Sequence, residues 1–169
     1  MVRGHAATVK RMFAAAIPFL LAASLDVPYV PQQKDTCGAA ALAMVLQYWG
    51  VAVSHDEVAQ QLLQPELHGI AGSRLAAFAA GRGLTAVAHA GDVDHLRDHV
   101  GKGRPMIVAW AMGRGRHHDV VVIGFDDARG RVIVHDPARG ASRHVDLDTF
   151  RRRWAGAGHW TLLVAPPPP

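Results

Sequence analysis

Positions 37–49 read CGAAALAMVLQYW, apolar or small at almost every place and without a charge. A surface helix would show a polar stripe, so this run predicts a helix buried on nearly all sides, closed by Gly50. Ahead of it, in LDVPYVPQQ, Pro28 and Pro31 bias Val27 and Val30 toward extended backbone. Ser54 with Glu57 three residues on is a capping-box pattern. It opens a helix to about Leu63, with Pro65 closing the segment. SRLAAFAAGRG predicts another short helix, stopped by Gly81 and Gly83. LTAVAHA alternates as a strand does, and DVDHLRDHVGKG puts Val93, Leu96 and Val100 on one helical face.

The second half changes character. PMIVAWA, DVVVIGFD and RVIVHD are rich in β-branched residues and predict three strands. The last two are joined by DDARG, a hairpin turn with Gly130 near its end. DLDTFRRRW predicts a short helix and HWTLLVA a final strand. Helices first and antiparallel strands after them make an α+β chain, with a helical layer against one sheet. No repeat or long linker divides it, so residues 25–165 are expected to form one domain, followed by a disordered proline tail at 166–169.

The 169 residues are 50% apolar and 19% charged, a globular balance. A net charge of +4 points at first toward nucleic acid. The first 24 residues change that view. They begin basic (Arg3, Lys10, Arg11), continue apolar from Met12 to Ala23 and end in small residues, the layout of a secretory signal peptide cleaved after Ser24. The segment holds three of the 18 basic residues and no acidic one, which leaves 15 against 14 in the rest of the chain. Nucleic acid is therefore not expected as a partner, and a periplasmic or secreted location is.

Cys37 is the only cysteine, so no internal disulfide can form and no cysteine pair suggests a zinc site. Its place is informative: it follows Asp35-Thr36 at the start of the buried helix, where unpaired amides and the helix dipole stabilise negative charge on sulfur. Gly38 beside it lets another chain approach closely. A nucleophilic thiol needs a base, and the base an orienting group. His117 and His118 lie at the mouth of one hairpin strand and Asp136 at the far end of the next. The hairpin alone brings those ends together, supplying a base and an acid with either histidine as the base.

VPYVPQQKDTCGAAALAMVLQYWG, GRPMIVAW, HDVVVIGFDDARGRVIVHDPARG and FRRRWAGAGHWTLLV, in that order, resemble the double-glycine peptidases, papain-like cysteine peptidases that process bacteriocin leaders. The resemblance runs from about Leu25 to Val164. It implies a papain-like fold with the active site at the junction of helices and sheet. It implies Cys37 as nucleophile, His118 as general base and Asp136 as its orienter. His118 is preferred over His117 because the family places this histidine six residues before the strand-ending glycine, here Gly124. Gln32 is implied in the oxyanion hole, with Gln33 a close rival. The implied substrate is a peptide or protein, with a possible export or transporter system as partner and no cofactor or metal. Three features depart from the family. Gln32 stands five residues before the cysteine, as in stand-alone relatives, where transporter-fused enzymes have six. Asp119 follows the histidine where an aromatic or aliphatic residue is commoner. No transporter is attached, and a signal peptide would place this chain on the other side of the membrane from the transporter-borne enzymes.

Other readings compete with these. Cys37 could be core filler, and His117, His118, His135 and Asp136 could form a metal site, although no helical His-x-x-x-His or carboxylate set accompanies them. His55, His68, His89, His95, His99, His144 and His159 are expected at the surface or at caps, the four tryptophans in the core, GRGRHH as a lip of the cleft, and Arg151–Arg153 as cations suited to a helix C-terminus. Beside peptide-bond hydrolysis stand an idle peptide-binding domain and amidase or transpeptidase action on cell-wall peptides.

Overall fold

A computed structural model describes residues 24–168. The expected signal segment therefore lies, except for Ser24, outside the described residues, as does Pro169. Pro166–Pro168 are exposed and carry no regular structure.

Five α-helices and six strands follow the predicted order, with one addition: α1 (Cys37–Tyr48), α2 (His55–Leu62), α3 (Gly72–Ala80), β1 (Thr85–Ala90), α4 (Val93–Gly101), β2 (Met106–Ala111), β3 (His117–Asp126), β4 (Arg131–Asp136), β5 (Gly140–Asp146), α5 (Leu147–Ala155) and β6 (Trp160–Ala165). The strands form one antiparallel sheet in the order β1-β6-β2-β3-β4-β5.

The run that opens α1 behaves as its composition demands. Gly38 through Leu46 are all buried, and Gly50, at φ 78°, ends the helix. The Gly50 amide donates to the Gln47 carbonyl and the Val51 amide to that of Leu46, the paired bonds of a Schellman stop. Ser54 caps α2 by accepting from the Glu57 amide at 3.1 Å. The reciprocal half of the capping box is not made, because the Glu57 carboxylate accepts from Arg82 instead, at 2.7 Å.

The expected helical layer is α1 with α2 and α3, packed on a core that includes Ile107, Val121, Ile133, Leu162 and Val164. The neighbouring sheet positions Met106, Val108, Val120, Val122, Val132 and Val134 point the other way, against Leu96 and Val100 of α4 and Phe150 and Trp154 of α5. Both faces of the central strands are thus covered, which explains why their sequences are continuously apolar rather than alternating.

Two strand limits differ from expectation. β3 begins at His117, not Asp119, because His117 and His118 pair with Ala111 and Trp110 of β2. β5 was not expected at all: its side chains are exposed or half-exposed, so it offers no apolar pattern, and only its backbone ladder with β4 makes it a strand. Beyond the end of β2, Ser24 and Leu25 take its place beside β3, the Leu25 amide donating to the Ile123 carbonyl at 2.8 Å. The extended segment then crosses the end of β4, where the Gln32 amide donates to the Pro137 carbonyl at 3.0 Å. That crossing carries residues 32–37 to the mouth of the β3–β4 hairpin.

Candidate active site

The turn before α1 is tied from several sides. Asp35 sits at φ 61°, a left-handed conformation that reverses the chain into the helix. The Thr36 hydroxyl accepts from the Gln33 amide (2.9 Å) and donates to the Gln33 carbonyl (3.0 Å). His55 Nε2 lies 2.8 Å from the same hydroxyl. Expected at the surface or at a cap, His55 is instead turned inward to brace the turn, its side chain 10% exposed. No local sequence signal marks that role, since it depends on α2 docking beside α1. With its hydroxyl so engaged, Thr36 makes no side-chain cap to α1, and the amides around Cys37 are left uncapped.

The hairpin delivers the acid to the histidine. Asp136 Oδ1 accepts from His118 Nε2 at 2.7 Å and from the Ala138 amide at 3.0 Å. Both residues are buried, with side-chain exposures of 11% and 2%. Burial alone would lower the proton affinity of His118, but Asp136 and then Cys37 outweigh it and raise the imidazole to about 9. Burial likewise opposes ionisation of Asp136, yet His118, the Ala138 amide and Arg139 hold its carboxyl below the ordinary range. The pair is therefore imidazolium and carboxylate at neutral pH. Cys37 lines the same cleft as His118 and raises its proton affinity, so the thiol shares one site with the imidazole–carboxylate pair. The Trp110 ring packs beside His118, centroids 6.5 Å apart.

His117 points into solvent at the rim, so of the two histidines it is His118 that meets the acid. The rival glutamines separate too. Gln32 lines the cleft with Cys37, its Nε2 donating to the Gln33 carbonyl at 3.2 Å and its Oε1 buried without a partner. Gln33 turns away to Asp56, at 3.2 Å. His135 donates from Nε2 to the Val27 carbonyl (2.8 Å) and accepts the Ser142 amide on Nδ1 (3.0 Å). Both its nitrogens are thus held by backbone, leaving none for a metal.

Cys37, His118 and Gln32 open on a cleft of about 500 Å³. One lip is the segment from Leu67 to Gly72 and the other runs from Met112 to His118, the GRGRHH stretch. Leu67 and Met112 are more than half exposed there, at 57% and 51%, and offer apolar surface on both lips. Trp160 forms part of the wall, in contrast to Trp110 and Trp154, which are buried as expected. A methyl group on Gly72 would collide with the Trp160 ring, so glycine is what lets α3 lie flat against this wall.

A family model described as the Peptidase_C39 like family matches residues 24–161. Against curated protein sequences no match was found. Among solved structures, the chain is similar to a double glycine motif protease from an AMS/PCAT transporter in complex with the leader peptide: 26% identity, TM-score 0.69, covering 85% of this chain and 94% of that one. A putative C39-like peptidase from Bacillus anthracis shares the fold at 19% identity and TM-score 0.71, covering 88% of this chain and 100% of its own. So does the peptidase domain of Streptococcus ComA, a bi-functional ABC transporter, at 23% identity and TM-score 0.68, covering 82% and 97%.

Proposed function

Because the chain belongs to the Peptidase_C39 like family, we propose that it is a cysteine peptidase working through a thioester acyl-enzyme on Cys37. The observation that carries this reading is that Cys37 and His118 line one open cleft, with His118 bonded from behind to the buried Asp136.

The Cys37 sulfur attacks the scissile carbonyl carbon, forming a C–S bond while the carbonyl oxygen becomes an oxyanion. The uncapped amide of Cys37 and the second N–H of the Gln32 amide are the donors for that oxyanion. The protonated His118, held by Asp136, gives its proton to the leaving nitrogen as the C–N bond breaks. Water then attacks the thioester, His118 takes a proton from it, and the C–S bond breaks to release the acid and restore the Cys37 thiolate beside a protonated His118. The apolar lips at Leu67 and Met112 suit an extended peptide. Cleavage after Gly-Gly in a leader or export substrate is the specificity we assign first, by analogy with the transporter-borne neighbours, and the basic-then-apolar N-terminal segment supports a periplasmic or secreted site of action.

The test is incubation with a diverse peptide mixture beside Cys37→Ala, with cut sites read by mass spectrometry. Cleavage by the native protein alone, with iodoacetamide labelling of Cys37 slowed in His118→Ala, is the expected result. Intact peptides and a Cys37 no more reactive than an ordinary thiol would overturn the reading in favour of a peptide-binding domain.

A further inference from the structure

One charged group in the cleft has no role in the steps above. Strand alternation turns Asp119, the residue after His118, to the opposite side of β3, onto α1. A methyl group built on Gly38 would stand 2.9 Å from Asp119 Oδ2, so the carboxyl rests on the residue next to Cys37 and lines the cleft. Nothing among the described residues donates a hydrogen bond to it or pairs with it as a cation. The charged and titratable groups around it are all otherwise placed. His118 is bonded to Asp136. Asp35 on the same cleft faces His68 at 3.5 Å, and Arg116 and His117 line the rim without reaching the carboxyl. The space at Gly38 that Asp119 Oδ2 borders is otherwise walled by Leu75 and Ile70, both apolar.

A half-buried carboxylate without donors is costly, and a group that supplied one would be bound strongly for that reason. Asp119 lines the cleft, where a substrate would lie against it. We propose that Asp119 is a specificity-determining residue: its carboxylate receives a protonated amine or a guanidinium carried by the peptide close to the scissile bond. This inference deepens the peptidase reading and rests on it. It also gives a meaning to the departure seen in the sequence, since an aromatic or aliphatic side chain at this position would close the same space with an apolar wall.

The pH dependence has a definite sign. Burial pushes the Asp119 carboxyl up to about 6, against the pull of the His118 charge. The preference for a cation is therefore present above about pH 6 and fades as the pH falls through that value. His118 stays charged across this range, so it does not confound the profile.

The experiment uses the full chain and N-acetylated peptides built around a cut site, each position in turn carrying Lys or its neutral near-isostere norleucine. A charge-assisted bond in a partly dry site predicts a preference for Lys at one position of roughly tenfold or more in kcat/KM at pH 7.5. That ratio should fall below about twofold in Asp119→Asn and, in the native protein, at pH 5. Peptides with neutral side chains and a free N-terminus tell whether the amine is main-chain or side-chain. Equal cleavage of Lys and norleucine peptides at every position overturns the proposal, as does a preference that survives Asp119→Asn. If no peptide is cut, the peptidase reading fails on its own, and the same pairs are then run as competitors of Cys37 alkylation by iodoacetamide. Protection by Lys peptides at roughly tenfold lower concentration, lost in Asp119→Asn, upholds the cation site; equal or absent protection overturns it. The alkylation rate of Cys37 without competitor shows whether Asp119→Asn keeps the site folded.

Discussion

Replacing Asp136 by asparagine keeps the shape of the buried pair and removes its negative charge. In the native protein His118 stands at about 9 against an ordinary 6.5, which is roughly a 300-fold gain in proton affinity, or about 3 kcal/mol. Burial opposes that gain, and Asp136 is the first cause that produces it. With the carboxylate gone burial still acts, so His118 should lose at least tenfold in proton affinity and titrate nearer the ordinary value. The direct measurement is an NMR titration of imidazole-labelled protein, the His118 signal being identified by its loss in His118→Gln. Stability follows the same linkage. A folded-state value raised above the unfolded one stabilises fully below about pH 6.5, and that contribution disappears as pH rises through about 9. At pH 7 Asp136→Asn should therefore melt roughly 10 °C below the native protein, since breaking a buried pair by removing one partner costs about 3 kcal/mol or more. The difference should shrink above pH 9. A His118 that titrates near 6.5 in the native protein, or that stays near 9 in Asp136→Asn, would refute the account of this pair.

Two further outcomes are expected. Gln32→Ala should lower kcat by roughly a hundredfold, the usual cost of one oxyanion donor, while leaving the alkylation rate of Cys37 nearly unchanged; Gln33→Ala, whose side chain turns away to Asp56, should have little effect on kcat. Gly72→Ala should displace Trp160 from the cleft wall, costing about 1–3 kcal/mol by overpacking and altering tryptophan fluorescence, both read in one thermal melt.

Much of this molecule was legible in its sequence because the relevant physics is local. A run with almost no polar residue must be buried on nearly all sides, and Gly38 through Leu46 of α1 are. A hairpin of fixed turn length brings its strand ends together, so His118 and Asp136 meet whatever surrounds them. Caps and stops, Ser54 and Gly50, act within a few residues of themselves. β5 was missed for a reason of the same kind: an exposed edge strand is held by backbone bonds, and backbone carries no sequence pattern.

Tertiary structure alone decided everything that depends on which helix docks on which side of the sheet. Packing of α1 against β3 sets Cys37 beside a histidine 81 positions later and rests Asp119 on Gly38. Docking of α2 beside α1 turns His55 inward onto Thr36, and a single glycine in α3 makes Trp160 a wall of the cleft. Hydrophobic periodicity specifies that a face is covered, not by what. The thiol and its hairpin partners could be named from the chain, but the unpartnered carboxylate beside them became visible only once the helix lay on the strand.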